Sequence, residues 1–224
     1  YSDFCTTVAA PAPTTGTLNF VATDGNGKYY TTFSSDRAIK FDEAFINDDE
    51  TCAATIKAYA VAVVDGELYL TDQYKVNNDG NYTYVPANTG ILFEYTLEYG
   101  SFDGAVPFEY ADAEADYLNE VKDNMLRAAS VAKEATGYMF YKLAYASSAK
   151  DNLGFYWGTA DGAAFTSREG SAYLAVPVGE GEAAPRYLFN GTEEVTAVEN
   201  IEAATAVKFI ENGVLYIQKN GRVY

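Results

Sequence analysis

The chain has 224 residues, 48% of them apolar and 21% charged, with 15 basic against 32 acidic side chains for a formal charge of -17. That balance argues against nucleic acid, whose affinity comes mainly from Lys and Arg neutralising phosphates, and against an anionic membrane surface. There is no histidine, so the commonest general base and the commonest zinc ligand are both missing.

The length suits one large all-β domain or two small ones, burying about 70–75% of the unfolded chain's surface. No run of 18 apolar residues offers a membrane-spanning helix. The chain begins at Tyr1 rather than Met, and a mature exported chain trimmed upstream is expected. Cys5 and Cys52 are the only cysteines. They are either two separate buried thiols or, the favoured alternative, one disulfide tying the N-terminal segment to the body. Such a bridge would stabilise by roughly 4 kcal/mol in the chain-entropy account and imply an oxidising compartment. Their spacing is not CxxC, and no metal or other cofactor is expected.

Residues 1–17 are rich in Thr, Ala and Pro and are expected to be a linker. A sandwich-like domain is expected over 18–190, built from hairpins. LNFVA, the DGNG turn at Asp24 to Gly27 and KYYTTF suggest the first of these. IKAYAVAVVDGELYL, Ile56 to Leu70, carries the strongest hairpin signal, with Asp65-Gly66 between two alternating arms. In TYVPANTGILFEY, Pro86 marks a turn or edge because proline cannot donate to a ladder. One helix is expected at about Ala113 to Lys122, since Tyr117, Val121 and Met125 fall at i, i+4 and i+8 behind an acidic start. GYMFYKLAYA, NLGFYWGTADG, SAYLAVPVG and RYLFNG then return to strand texture. Residues 191–205 form an acidic connector. Residues 206–224 are a C-terminal hairpin with turns at Asn212-Gly213 and Asn220-Gly221. KAYAVAVVDGELYL with VPANTGILFEY matches GYMFYKLAYA, NLGFYWG and SREGSAYLAVP in pattern, a weak internal duplication. The expected fold is therefore all-β, an antiparallel β-sandwich-like domain with one short helix and a C-terminal β-hairpin.

The order of YYTTF (Tyr29 to Phe33), KAYAV (Lys57 to Val61), VPANTGIL (Val85 to Leu92), GFYWG (Gly154 to Gly158), AYLAVP (Ala172 to Pro177) and YLFNGTEEVTAVENI (Tyr187 to Ile201) resembles a group of uncharacterised secreted or cell-surface proteins of Bacteroidales. The resemblance runs from about Gly27 to Tyr224. It implies export and an all-β fold, and brings no catalytic residues with it.

Three chemistries are open to these residues. Paired carboxylates could hydrolyse a glycosidic bond, with Asp48, Asp49, Glu50, Glu94, Glu98, Asp103 and Glu109 as candidates. With 32 acids, solvated surface charge is the simpler account. Asp24 with Asn26, or Asn77, Asn78, Asp79 and Asn81, could offer oxygens to calcium, but neither set completes a calcium loop, and turns use the same residues. The 20 Tyr, 13 Phe and single Trp could present rings to a sugar. GFYWG is the segment singled out for this: Phe155 and Trp157 must share one strand face and Tyr156 the other. The expected protein is a non-enzymatic adhesion or ligand-binding module outside a Gram-negative bacterium, with a glycan or surface protein as partner. A secreted two-carboxylate hydrolase and a structural spacer are the alternatives.

Overall fold

The computed structural model describes residues 14–46, 52–71, 82–111, 123–133, 136–145, 153–178, 184, 186–189, 207–211, 214–219 and 222–223. All the regular structure in these residues is strand. In chain order the strands are β1 (Thr15–Asn19), β2 (Ala22–Thr23), β3 (Lys28–Phe33), β4 (Ile39–Asp42), β5 (Ala44–Ile46), β6 (Ala53–Val64), β7 (Glu67–Thr71), β8 (Tyr82–Val85) and β9 (Ile91–Tyr99). They continue with β10 (Ala105–Tyr110), β11 (Leu126–Ala128), β12 (Tyr138–Tyr145), β13 (Leu153–Trp157), β14 (Ala172–Pro177), β15 (Arg186–Leu188), β16 (Val207–Glu211), β17 (Val214–Lys219) and β18 (Arg222–Val223). The helix expected at 113–122 lies outside the described residues, as does the acidic connector.

Among the described residues every strand pairing is antiparallel, and the sandwich-like architecture expected from the sequence is present with a third layer. The middle sheet runs β2-β3-β9-β6-β5, with β7 also on β6; one outer sheet is β1-β10-β4-β8 and the other is β11-β14-β12-β13-β15. Sequence explains which sheet is central. A strand buried on both faces reads as a continuous apolar run, whereas one wetted on a single face alternates. AYAVAVV in β6 and ILF in β9 are such runs, and nearly every residue in them is buried. Ile56, Ala58, Ala60, Ile91, Phe93 and Tyr95 face the β1–β10–β4–β8 sheet, packing with Leu18, Ile39, Phe41, Val85, Val106 and Phe108. Tyr59, Val61, Val63 and Leu92 face the other way, onto Tyr141, Phe155, Leu174 and Val176. Each such side chain contributes about 1.5–3 kcal/mol on full burial.

The Asp65-Gly66 hairpin forms where expected, but its first arm, β6, is not the alternating strand expected: Ala58 to Val63 are all buried because a sheet covers each face. Asp65 (φ 52°) and Gly66 (φ 81°) are both left-handed, the backbone of the two-residue turn whose twist matches paired strands. β8 ends at Val85, so Pro86 opens a turn rather than continuing a strand. LNFVA departs from the single arm expected. Leu18 pairs with Val106 in one sheet while Ala22 pairs with Tyr30 in the next, so the chain changes layer at Phe20-Val21. β17 pairs with both β16 and β18, Glu211 opposite Val214 and Lys219 opposite Arg222; the two expected Asn-Gly turns lie outside the described residues.

The two stretches compared for duplication have the same strand order. β12 lies between β14 and β13. On β6, Ile56 donates to Glu43 on the β5 side, while Val61 donates to Asn124 and accepts from Met125 on the β9 side. The even-numbered amides are thus left for β7, and β6 lies between β9 and β7.

Hydrogen bonds also join the middle sheet to the β11–β15 sheet. Met125 donates to Val61 and accepts from Ala175, Ser34 donates to the carbonyls of Gly170 and Ser171, and Tyr145 Oη donates to the Thr23 carbonyl at 2.7 Å.

Candidate binding face

Alternation divides the β11–β15 sheet into a core face and an outward face. Leu126, Tyr141, Leu153, Phe155, Leu174, Val176 and Tyr187 point inward and are buried. Their neighbours Arg127, Lys142, Tyr156, Tyr173 and Arg186 therefore point outward. Register places these five on one line across the sheet. Arg127 stands opposite Tyr173, and Tyr156 stands opposite both Lys142 and Arg186. One step beyond the Tyr141–Leu174 pair, Lys142 comes beside Tyr173. The sequence of the row is Arg, Tyr, Lys, Tyr, Arg.

The three cations are exposed and Tyr156 is half-buried, while Tyr173 is covered. Its cover is a fourth cation together with Phe165, whose ring packs on this side of the sheet with Tyr173, Phe140 and Ala175. Lys133 Nζ lies 4.1 Å from the centre of the Tyr173 ring and 4.7 Å from that of Phe165, and donates to Ser167 Oγ at 2.8 Å. Burial lowers the Lys133 pKa, a cost that the two ring faces offset by cation–π attraction. Among the described residues, Arg127, Lys142 and Arg186 have no ion-pair partner. No outward strand position of this sheet is acidic.

The outward face of the β1–β10–β4–β8 sheet differs. There Lys40 Nζ meets Glu109 Oε2 at 2.8 Å and Asp42 follows two residues along the same face, so its charges compensate one another. Of these two outward faces, the β11–β15 one is the face whose strand cations have no ion-pair partner among the described residues.

The residues singled out in GFYWG separate as strand alternation requires. Phe155 is 0% exposed and is a core residue, which corrects its assignment as a binding residue: a ring with no surface cannot touch a ligand. Trp157 is half-buried against the same core, and its Nε1 is buried without a hydrogen-bond partner. Tyr156 alone of the three lies on the outward face. The glycines framing the motif serve close packing. A Cβ on Gly154 would fall 2.2 Å from the Tyr187 carbonyl oxygen, and one on Gly158 would fall 1.9 Å from the Phe165 ring.

Cys52 is buried, with Sγ 3.3 Å from Tyr95 Oη. Cys5, its expected partner, lies outside the described residues. Asp24 Oδ1 accepts from the amides of Asn26 (2.7 Å) and Lys28 (3.3 Å), which is turn chemistry. Asn77, Asn78, Asp79 and Asn81 lie outside the described residues, as do Asp48, Asp49 and Glu50. No group of three His, Cys, Asp or Glu among the described residues is placed to hold a metal ion.

Of the carboxylates considered for hydrolysis, Glu98 accepts from Thr55, Asp103 accepts from the Ala105 amide, and Glu109 pairs with Lys40. Glu94 is buried and accepts from Lys28 Nζ (3.1 Å), Tyr30 Oη (2.9 Å) and Thr96 Oγ1 (3.2 Å). Burial raises the Tyr30 pKa, and the Glu94 charge raises it further. These acids are engaged in cross-strand bonds and turns.

Sequence alone does not mark Arg127, Lys142 and Arg186, because 59 positions separate the first from the last and only sheet order brings them into line. Their sequence signal is slight: one cation beside buried apolar residues in each of three strands. Among the described residues no helix is long and apolar enough to cross a membrane. No protein-family model, curated protein or solved structure matches the chain.

Proposed function

We propose that the chain is a non-enzymatic, exported ligand-binding or adhesion module of a Gram-negative bacterium, and that it holds a glycan on the outward face of the β11–β15 sheet. The observation that carries this function is Tyr156, half-exposed between Lys142 and Arg186 on a face with no acid among its strand positions. A ring half-exposed on a sheet face offers a pyranose an apolar platform, and the flanking cations offer its oxygens hydrogen-bond donors. Export follows the resemblance to Bacteroidales surface proteins, and an oxidising compartment would allow Cys5 and Cys52 to bridge.

A glycan array probed with labelled wild-type protein and with Tyr156→Ala tests the function. Binding to one glycan class that Tyr156→Ala loses and Tyr156→Phe keeps is the expected result. Binding that both variants retain would remove Tyr156 from the site, and a blank array would remove the glycan.

A further inference from the structure

We infer that this face selects anionic glycans, chains bearing carboxylates or sulfates, over neutral ones; the inference rests on the glycan-binding function proposed above. The chain carries -17 overall, yet the outward strand positions of this one sheet present three exposed cations and no acid. Because the net charge is screened beyond about 8 Å at physiological ionic strength, a ligand lying on the face meets the local sign.

The cations are also spaced regularly. Arg127, Lys142 and Arg186 are each two strands from the next, with Tyr173 and Tyr156 between them. At the usual strand spacing that is about 10 Å per step, a separation that suits charges on alternate sugars of an acidic polysaccharide. Lys133 stands above Tyr173 in one of the two gaps, beside the Phe165 ring that shares the cover, so that gap is closed to a ring contact and contributes a positive charge. The other gap exposes Tyr156. A line of separated charges with a flat ring between two of them fits an extended charged sugar chain. A compact anion would call instead for cations converging on one point.

The residues that would discriminate are exposed and on strands, so Lys142→Gln and Arg186→Gln should leave the fold within about 0.5 kcal/mol of wild type. Immobilised wild-type protein, the two single variants and the double variant would be titrated with heparin and polygalacturonate as anionic probes. Dextran and laminarin serve as neutral probes and a single-stranded oligonucleotide as a polyanion without the same sugars. The expected result is tighter binding of at least one anionic glycan than of either neutral one. Each single variant should weaken it about fivefold, and raising salt from about 50 to 500 mM should weaken wild-type binding at least tenfold.

Preferential binding of a neutral glycan, unchanged in the Gln variants, would overturn the inference and leave the glycan-binding function standing. Loss of all glycan binding would remove both. Equal binding of the oligonucleotide would overturn glycan selectivity in favour of any polyanion. Self-association on light scattering that the double variant abolishes, with no glycan bound, would assign the face to a second copy of this acidic chain.

Discussion

Leu92 and Phe93 are consecutive in β9, both are 0% exposed, and they enter different cores. In a two-layer sandwich one of two consecutive strand residues meets water, and truncating it changes stability by about 0.5 kcal/mol or less. Three layers require both truncations to be costly. Leu92→Ala empties a site beside Tyr59, Val61 and Leu174 in one cluster and should cost about 2–5 kcal/mol. Phe93→Ala removes edge-to-face contacts with Phe41 at 5.0 Å and Phe33 at 6.1 Å and should cost about 3–5 kcal/mol. Urea unfolding followed by far-UV circular dichroism and by Trp157 fluorescence measures both. Where alanine leaves too little stability, Leu92→Val and Phe93→Leu, at about 1 kcal/mol each, keep the comparison measurable. A value within about 0.5 kcal/mol of wild type for either position would mean that face of β9 is wet, and the layer covering it would have to be withdrawn.

Tyr187 is 3% exposed and its Oη has no hydrogen-bond partner, so Tyr187→Phe should be neutral or stabilise by about 1 kcal/mol. Tyr141→Phe, which forfeits a 2.9 Å bond to the Ala184 carbonyl, should cost about 0.5–1.5 kcal/mol; reversal of that order in urea midpoints would contradict the hydrogen-bond assignment. Burial raises the pKa of Tyr30, Tyr95, Tyr141 and Tyr173. The folded state therefore keeps protons that the unfolded chain releases above about pH 10. The stability they contribute is whole below that pH and is lost as pH rises, at about 1.4 kcal/mol per pH unit for each tyrosine still protonated only in the folded state. Urea midpoints that stay level from pH 9 to 11 would refute this. If export is correct and Cys5 is bridged to Cys52, the unfolded, unreduced protein has no titratable thiol, and two thiols would remove that support for export.

Local signals carried much of the fold. Asp65-Gly66 located a hairpin because only a few residues tolerate two consecutive left-handed conformations, and Pro86 located a strand end because it lacks a donor. The third layer is also written locally, in the unbroken apolar run of β6, but alternating small and large residues (Ala with Tyr or Val) make that run look like an alternating arm, and nothing local says which sheets cover its two faces. Phe20-Val21 shows where local reasoning stops. The residues on either side look like one strand, and their division between sheets depends on partners some 80 residues away. The candidate face shows the same division. Strand alternation correctly separated Tyr156 from Phe155 and Trp157, but which side would be the core depended on the middle sheet that covers it. Arg127, Lys142 and Arg186 each look like ordinary surface charge until sheet order places them in a row.

The most direct test of the functional claim is the affinity of wild type and Tyr156→Ala for the tightest glycan found, measured beside their urea midpoints. The account predicts a loss of at least about tenfold in affinity, restored by Tyr156→Phe, with a stability change of no more than about 1 kcal/mol. Equal affinity in wild type and Tyr156→Ala would contradict it and move the binding site off this face.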